Sequence, residues 1–172
     1  MAHTDSAVSS DRTAQPTLAA LQARRLAGLR KNSAAISVML IAQYGLGMGL
    51  NLYVQVPASD QGRGIAAALG RALTSQPAAL AAHAGFGLLL LVAGVSVLTG
   101  AITARHRPAI AASALGQLAI VGAAFSGASF ASNGRAGASM AMAVLTGVAL
   151  LCYLGNLYAA GSPAAITWQA RR

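Results

Sequence analysis

Four long stretches of the chain are dominated by apolar residues and carry no Asp, Glu, Lys or Arg: Asn32 to Ser59, Ala72 to Ala104, Pro108 to Gly134 and Ala136 to Ala170. Each exceeds the roughly 20 apolar residues that cross the hydrocarbon of a bilayer as a helix. The pattern predicts an all-α integral membrane protein, a four-helix transmembrane bundle. Its spans are expected over about 33–56, 78–103, 108–130 and 138–160, within a transmembrane domain of 33–160. Pro57, Pro77, Pro108 and Pro163 all fall at span ends and none interrupts a span. Proline breaks helix interiors and is tolerated in the first turn, so a second signal agrees with the hydropathy.

The segments around the spans are polar. Residues 1–16 are rich in Ser, Thr and Asp and read as a disordered cytoplasmic tail. From Thr17 to Lys31, Leu18, Leu21, Leu26 and Leu29 share a helical arc that Arg25 interrupts. That segment is expected either to lie on the membrane as a basic interfacial helix before the chain turns in, or to be only a charged flank. A basic leader before an apolar run resembles a signal peptide, and Val56-Pro57-Ala58 fits a cleavage site. The run is too long for a secretory core, so span one is read as an uncleaved anchor. Between spans one and two, Ile65, Leu69 and Leu73 recur every four residues. This predicts a short surface helix. A second cytoplasmic tail is expected over 161–172.

Charge then sets orientation. The chain has 172 residues, of which 9% are charged, with 12 Lys and Arg against 3 Asp and Glu. A soluble domain carries about 25% charge. Nine basic residues fall on one side (Arg12, Arg24, Arg25, Arg30, Lys31, Arg105, Arg107, Arg171, Arg172) and three on the other (Arg63, Arg71, Arg135). The bias places both termini in the cytoplasm of a multi-pass cell-membrane protein. It also offers Arg24, Arg25, Arg30 and Lys31 to anionic lipid headgroups. The basic residues flank spans rather than forming a patch on a folded surface, which argues against nucleic acid as a partner. Tyr53 and Trp168 suit interfacial anchors near opposite faces.

The spans are rich in small residues. Gly45, Gly49, Gly85, Gly87 and Gly127 are expected to let helices approach closely, since lipid supplies little hydrophobic drive between them. This predicts a tight bundle, or tight contact with another membrane subunit or a second copy.

Within the spans, the half of the bundle opposite the termini gathers the unusual side chains. Met48, Asn51, His83, Ser126, Ser129, Ser139, Met140 and Met142 come to similar depth at about 1.5 Å rise per residue. His83 is the ionisable residue among them, and such residues inside a membrane are functional candidates. Three readings compete. In one, His83 is a neutral side chain hydrogen-bonded to Asn51, Ser126, Ser129 or Ser139. In another, His83 with Met48, Met140 or Met142 binds copper or haem. In the third, the level binds a quinone or a lipid headgroup. A deeper polar set holds Gln43, Tyr44, Gln117, Thr146, Tyr153, Asn156 and Tyr158. Residues of this kind normally face a partner helix.

Several chemistries lack their residues. No span holds the carboxylate or cation that proton- and cation-coupled transporters place at the midplane. No Ser-His-Asp, HExxH or paired-carboxylate arrangement supports hydrolysis. Gly45-Leu46-Gly47-Met48-Gly49-Leu50 departs from the dinucleotide spacing at Leu50. Cys152 stands alone, with no partner for an internal disulfide. A non-enzymatic accessory or assembly subunit of the bacterial inner membrane is therefore expected.

The segments Gln43-Tyr44-Gly45, Asn51-Leu52-Tyr53-Val54, His83-Ala84-Gly85-Phe86-Gly87 and Ala124-Phe125-Ser126-Gly127-Ala128-Ser129-Phe130 resemble those of uncharacterised small four-span membrane proteins of GC-rich Gram-positive bacteria. The resemblance covers the spans and implies no activity.

Overall fold

A computed structural model describes residues 5–53, 64–74, 78–133 and 136–161. It contains five helices: α1 (Asp5–Tyr53), α2 (Ile65–Thr74), α3 (Ala78–Thr103), α4 (Arg107–Asn133) and α5 (Ala136–Gly161). Four segments are long and apolar enough to cross a membrane: Ala20–Tyr53, Ala78–Thr103, Arg107–Asn133 and Ala136–Ala160. α1 packs against α3 and α5, and α4 against the same two, so the four long helices close into a ring. α2 touches α3 and α4. The expected stop at Pro57, the charges Asp60, Arg63 and Arg135, and the tail from 162 with Trp168 lie outside the described residues.

α1 departs from expectation. It begins at Asp5, includes Pro16, and runs without interruption to Tyr53. The segment read as a disordered tail is helical from residue 5, and the chain does not turn before span one, which goes against the interfacial-helix alternative and leaves the charged-flank one. The reason is a seam that the charges obscured. Leu26, Leu29, Ser33, Ile36 and Leu40 are all buried, and Gln43 and Gly47 continue the same alternation of three- and four-residue steps. A 3.5-residue repeat keeps one face of a helix against its neighbours over its whole length. Arg25 does not spoil this face. Its Nη1 donates to the carbonyl oxygen of Thr103, 3.2 Å away, at the end of α3. The last carbonyls of a helix have no partner within it and carry its negative dipole end, so a cation there is favourable. Arg25 is thus a structural cap at the surface, where Arg24, Arg30 and Lys31 are exposed beside it.

The turn between α3 and α4 is equally tight. The His106 N–H donates to the Ala101 carbonyl at 3.4 Å, and the Arg105 N–H to that of Ile102 at 2.9 Å. This is the pairing of a Schellman helix end. It requires a left-handed residue, and Arg105 takes that role at φ 51° where glycine is usual. His106 then caps α4, its Nδ1 accepting from the Ala109 N–H at 3.3 Å.

Burial is unequal along the bundle. The buried residues lie towards the α3–α4 turn: Leu26 to Leu40 on α1, Leu90 to Ala104 on α3, Ala109 to Ile120 on α4 and Thr146 to Ala160 on α5. In this half, side chains lie on bare backbone. The Tyr153 ring and the Gln117 amide occupy the space beside Gly94, and the Tyr153 ring also covers Gly116. Asn156 Nδ2 donates to Ser113 Oγ at 2.8 Å, and Gln117 Nε2 to the Leu91 carbonyl at 3.2 Å. Tyr158, 82% exposed, turns outward instead. On the lipid face of α3, Ser96, Thr99 and Thr103 donate back to the carbonyls four residues earlier. That satisfies them without water. In the other half, among residues 41–53, 78–89, 121–131 and 136–145, no residue is buried.

The expected packing glycines divide accordingly. A Cβ at Gly87 would meet Gln43 Nε2 at 3.3 Å, and one at Gly127 would meet Met142 Sδ at 3.0 Å. At Gly45, Gly49 and Gly85 it would meet nothing within 4 Å, so these three make no close contact within the chain. Their helical phase turns them away from the seams that hold Gly47 and Gly87.

Gly94→Ala and Gly116→Ala are expected to destabilise the purified protein by about 1–3 kcal/mol, because each methyl overlaps the Tyr153 ring or the Gln117 amide. Gly45→Ala and Gly85→Ala should be neutral or gain up to about 1 kcal/mol from helix propensity. Thermal unfolding in detergent, followed by circular dichroism, separates the two pairs.

Candidate functional site

The loosely packed half surrounds a cavity of about 360 Å³. Its closed end is formed by one buried side chain from each span: Leu40, Leu90, Ile120 and Thr146. From there it runs to the level of Asn51, Leu80, Ala131 and Ser139. The lining is almost wholly apolar. Leu88 on α3 and Ala124 and Phe125 on α4 line it and are exposed, as are Tyr44, Met48 and Asn51 on α1, so the cavity reaches the surface of the bundle beside both groups.

Five of the residues singled out from the sequence line this space: Met48, Asn51, His83, Ser139 and Met142. Ser126, Ser129 and Met140 do not. Met140, 69% exposed, is turned about 100° from Ser139 around α5 and faces outward. The Ser129 carbonyl instead accepts from Ser132 Oγ at 3.1 Å and Asn133 Nδ2 at 3.2 Å near the end of α4. At the mouth, Ser139 Oγ lies 3.5 Å from Asn51 Oδ1.

None of the partners expected for His83 is its partner. Gln43, assigned from the sequence to a deeper set, takes that place. Its Nε2 donates to the His83 backbone carbonyl at 3.1 Å and stands 3.3 Å from His83 Nε2. Two glycines make this possible. The His83 ring packs on Gly47, where a Cβ would lie 3.1 Å from Cε1, and the Gln43 amide packs on Gly87. Each helix therefore carries a polar residue and, one turn further on, a glycine: Gln43 with Gly47, His83 with Gly87. In antiparallel register each polar side chain covers the other helix's glycine. That paired spacing was the signal available in the sequence.

A carbonyl oxygen only accepts, so the Gln43 atom facing it is the amide nitrogen. The same nitrogen stands beside His83 Nε2, and donation along that contact corresponds to a neutral imidazole carrying its proton on Nδ1. His83 Nδ1 and Gln43 Oε1 are enclosed without a partner. A metal requires a free nitrogen lone pair. With Gln43 beside Nε2, Nδ1 is the nitrogen without a partner, and it is enclosed. Among the described residues, no group of three His, Cys, Asp or Glu could hold a metal ion.

The chain matches no family model, no curated protein and no solved structure. What the site does must be argued from its own geometry.

Nitrogen NMR of histidine-labelled protein should show His83 as the Nδ1–H tautomer, and Gln43→Leu should release it to a mixture. A signal from His83 protonated at Nε2 in the unaltered protein would contradict the assignment. A Gln43→Leu/His83→Leu double-mutant cycle should return a coupling of about 0.6 kcal/mol, the usual size for polar pairs between spans.

Proposed function

We propose that this chain is a small, non-enzymatic, multi-pass protein of the bacterial inner membrane that binds a lipid-soluble molecule in the cavity between its four spans. One observation carries the reading: one half of the bundle is closed by buried side chains, while the other, in which no described residue among 41–53, 78–89, 121–131 and 136–145 is buried, leaves about 360 Å³ open among apolar side chains. Lipid-filled surroundings do not drive helices to close such a space, and an apolar void loses dispersion contacts unless something fills it. A volume near 300 Å³ and above is the range of small-molecule sites. The turn end, with Arg24, Arg25, Arg30, Lys31, Arg105 and Arg107, is read as cytoplasmic together with both termini. The cavity then lies in the outer leaflet, with α2 at the membrane surface above it.

A bound lipophile should be recovered by mass spectrometry from protein purified in mild detergent, at near one per chain. Filling the cavity by Ala143→Phe should remove it while circular dichroism stays unchanged. Folded protein that never retains such a molecule, and shows no saturable uptake of added quinone or lipid, would end this reading.

A second reading has its own support. Gly45 and Gly49 meet nothing within the chain, Gly45 is exposed, and the two lie one turn apart on α1. This leaves backbone that another span can approach, as expected of an accessory subunit or a homo-oligomer. Gly45→Leu with Gly49→Leu should then abolish co-purification of a membrane partner or a second copy, and leave the monomer's thermal unfolding intact. If association persists in that variant, it uses another face.

A further inference from the structure

The dimensions of the cavity narrow what it takes, and the inference rests on the binding role proposed above. From Leu40 at the closed end to Asn51 at the mouth, α1 advances 11 residues, or about 16 Å at the helical rise. That is close to half of a hydrocarbon core about 30 Å thick, the depth of one leaflet. An apolar space of one leaflet's depth suits an extended hydrocarbon chain.

The distribution of polarity sets the direction of insertion. The closed end holds Leu40, Leu90 and Ile120, with Thr146 spending its hydroxyl on the Met142 carbonyl of its own helix at 2.8 Å. No polar group there is free to meet a headgroup. Partway along, Gln43 and His83 engage each other, and their unpartnered atoms are enclosed rather than presented to the space. At the mouth stand Asn51 and Ser139, joined only by a long 3.5 Å contact that leaves the Asn51 amide nitrogen available. The surface opening beside Leu88, Ala124 and Phe125 lies between α3 and α4, the two spans that α2 also touches. A chain sliding sideways out of the leaflet would pass beneath α2 and keep its head at that helix's level.

We propose that the cavity holds one alkyl or isoprenoid chain of an outer-leaflet lipid, inserted tail-first between α3 and α4, with its head at Asn51 and Ser139. The occupant is thus a lipid tail rather than a headgroup buried at the His83 level.

The full-length protein, reconstituted in phosphatidylglycerol vesicles, tests this with two photoactivatable phosphatidylglycerols. One carries its diazirine at the end of an acyl chain, the other in the headgroup. After irradiation, the chain-end probe should label the closed end, at Leu40, Leu90, Ile120 or Thr146. That labelling should fall at least tenfold in Ala143→Phe and separately in Ala128→Leu, while labelling of lipid-facing Leu118 and Leu151 stays constant and reports correct folding. Labelling of the closed end by the headgroup probe would overturn tail-first insertion and leave the binding role standing. Chain-end labelling confined to Leu118, Leu151 and other outward positions would also overturn it. The same holds for closed-end labelling that survives both filling variants. If both filling variants also lose the Leu118 and Leu151 labels, saturation of the unaltered protein's closed-end labelling by unlabelled lipid decides instead. Saturation supports the proposal, and unsaturable labelling overturns it.

Discussion

Helices in lipid gain little from burying apolar side chains against one another, because the surroundings are as apolar as the interior. What holds this bundle is close approach over bare backbone. Tyr153 and Gln117 press on Gly94 and Gly116, and Asn156 bonds to Ser113 alongside them. Every buried stripe in the molecule lies in the half that contains these contacts or borders it, apart from Ser132 near the end of α4. Where the opposing residues are instead Leu88, Phe125 and Met48, which are exposed or partly so, the spans stand apart. The cavity lies where no described residue is buried, and its floor is the layer of Leu40, Leu90, Ile120 and Thr146.

The contact between α1 and α3 shows how polar residues serve such a structure at modest energy. Gln43 satisfies a backbone carbonyl and an imidazole with one nitrogen, and it can do so only because Gly87 lacks a side chain. His83 reciprocates over Gly47. The pair braces the widening half just above the floor. It gives the ionisable residue among the spans a polar partner on a neighbouring helix.

Four spans were legible because charge-free length and proline placement are local properties. The composition of the polar level was legible for the same reason, and His83, Met48, Asn51, Ser139 and Met142 do share one space. Pairing was not legible. Rise per residue gives depth but not azimuth, so Met140 and Ser126 were grouped with neighbours from which they are turned away. Gly45 and Gly49 satisfied a small-residue spacing, yet the seam passes through Gly47, whose partner spacing had to be recognised on two helices at once. Arg25 misled in the same manner. Read as a flaw in an apolar face, it is a cap for a helix 78 residues away in sequence. The cavity leaves no local trace, since it follows from how side chains on different helices meet.

The continuity of α1 has a consequence for whatever meets its beginning. Arg25 is level with the end of α3, so the 20 residues from Asp5 to Arg24 extend the same helix about 30 Å beyond that point. Such a segment acts as a spacer of fixed pitch rather than a tether. Deleting one residue from it would swing its tip by about 100° around the axis and shorten it by about 1.5 Å. Removing seven residues would nearly restore its heading.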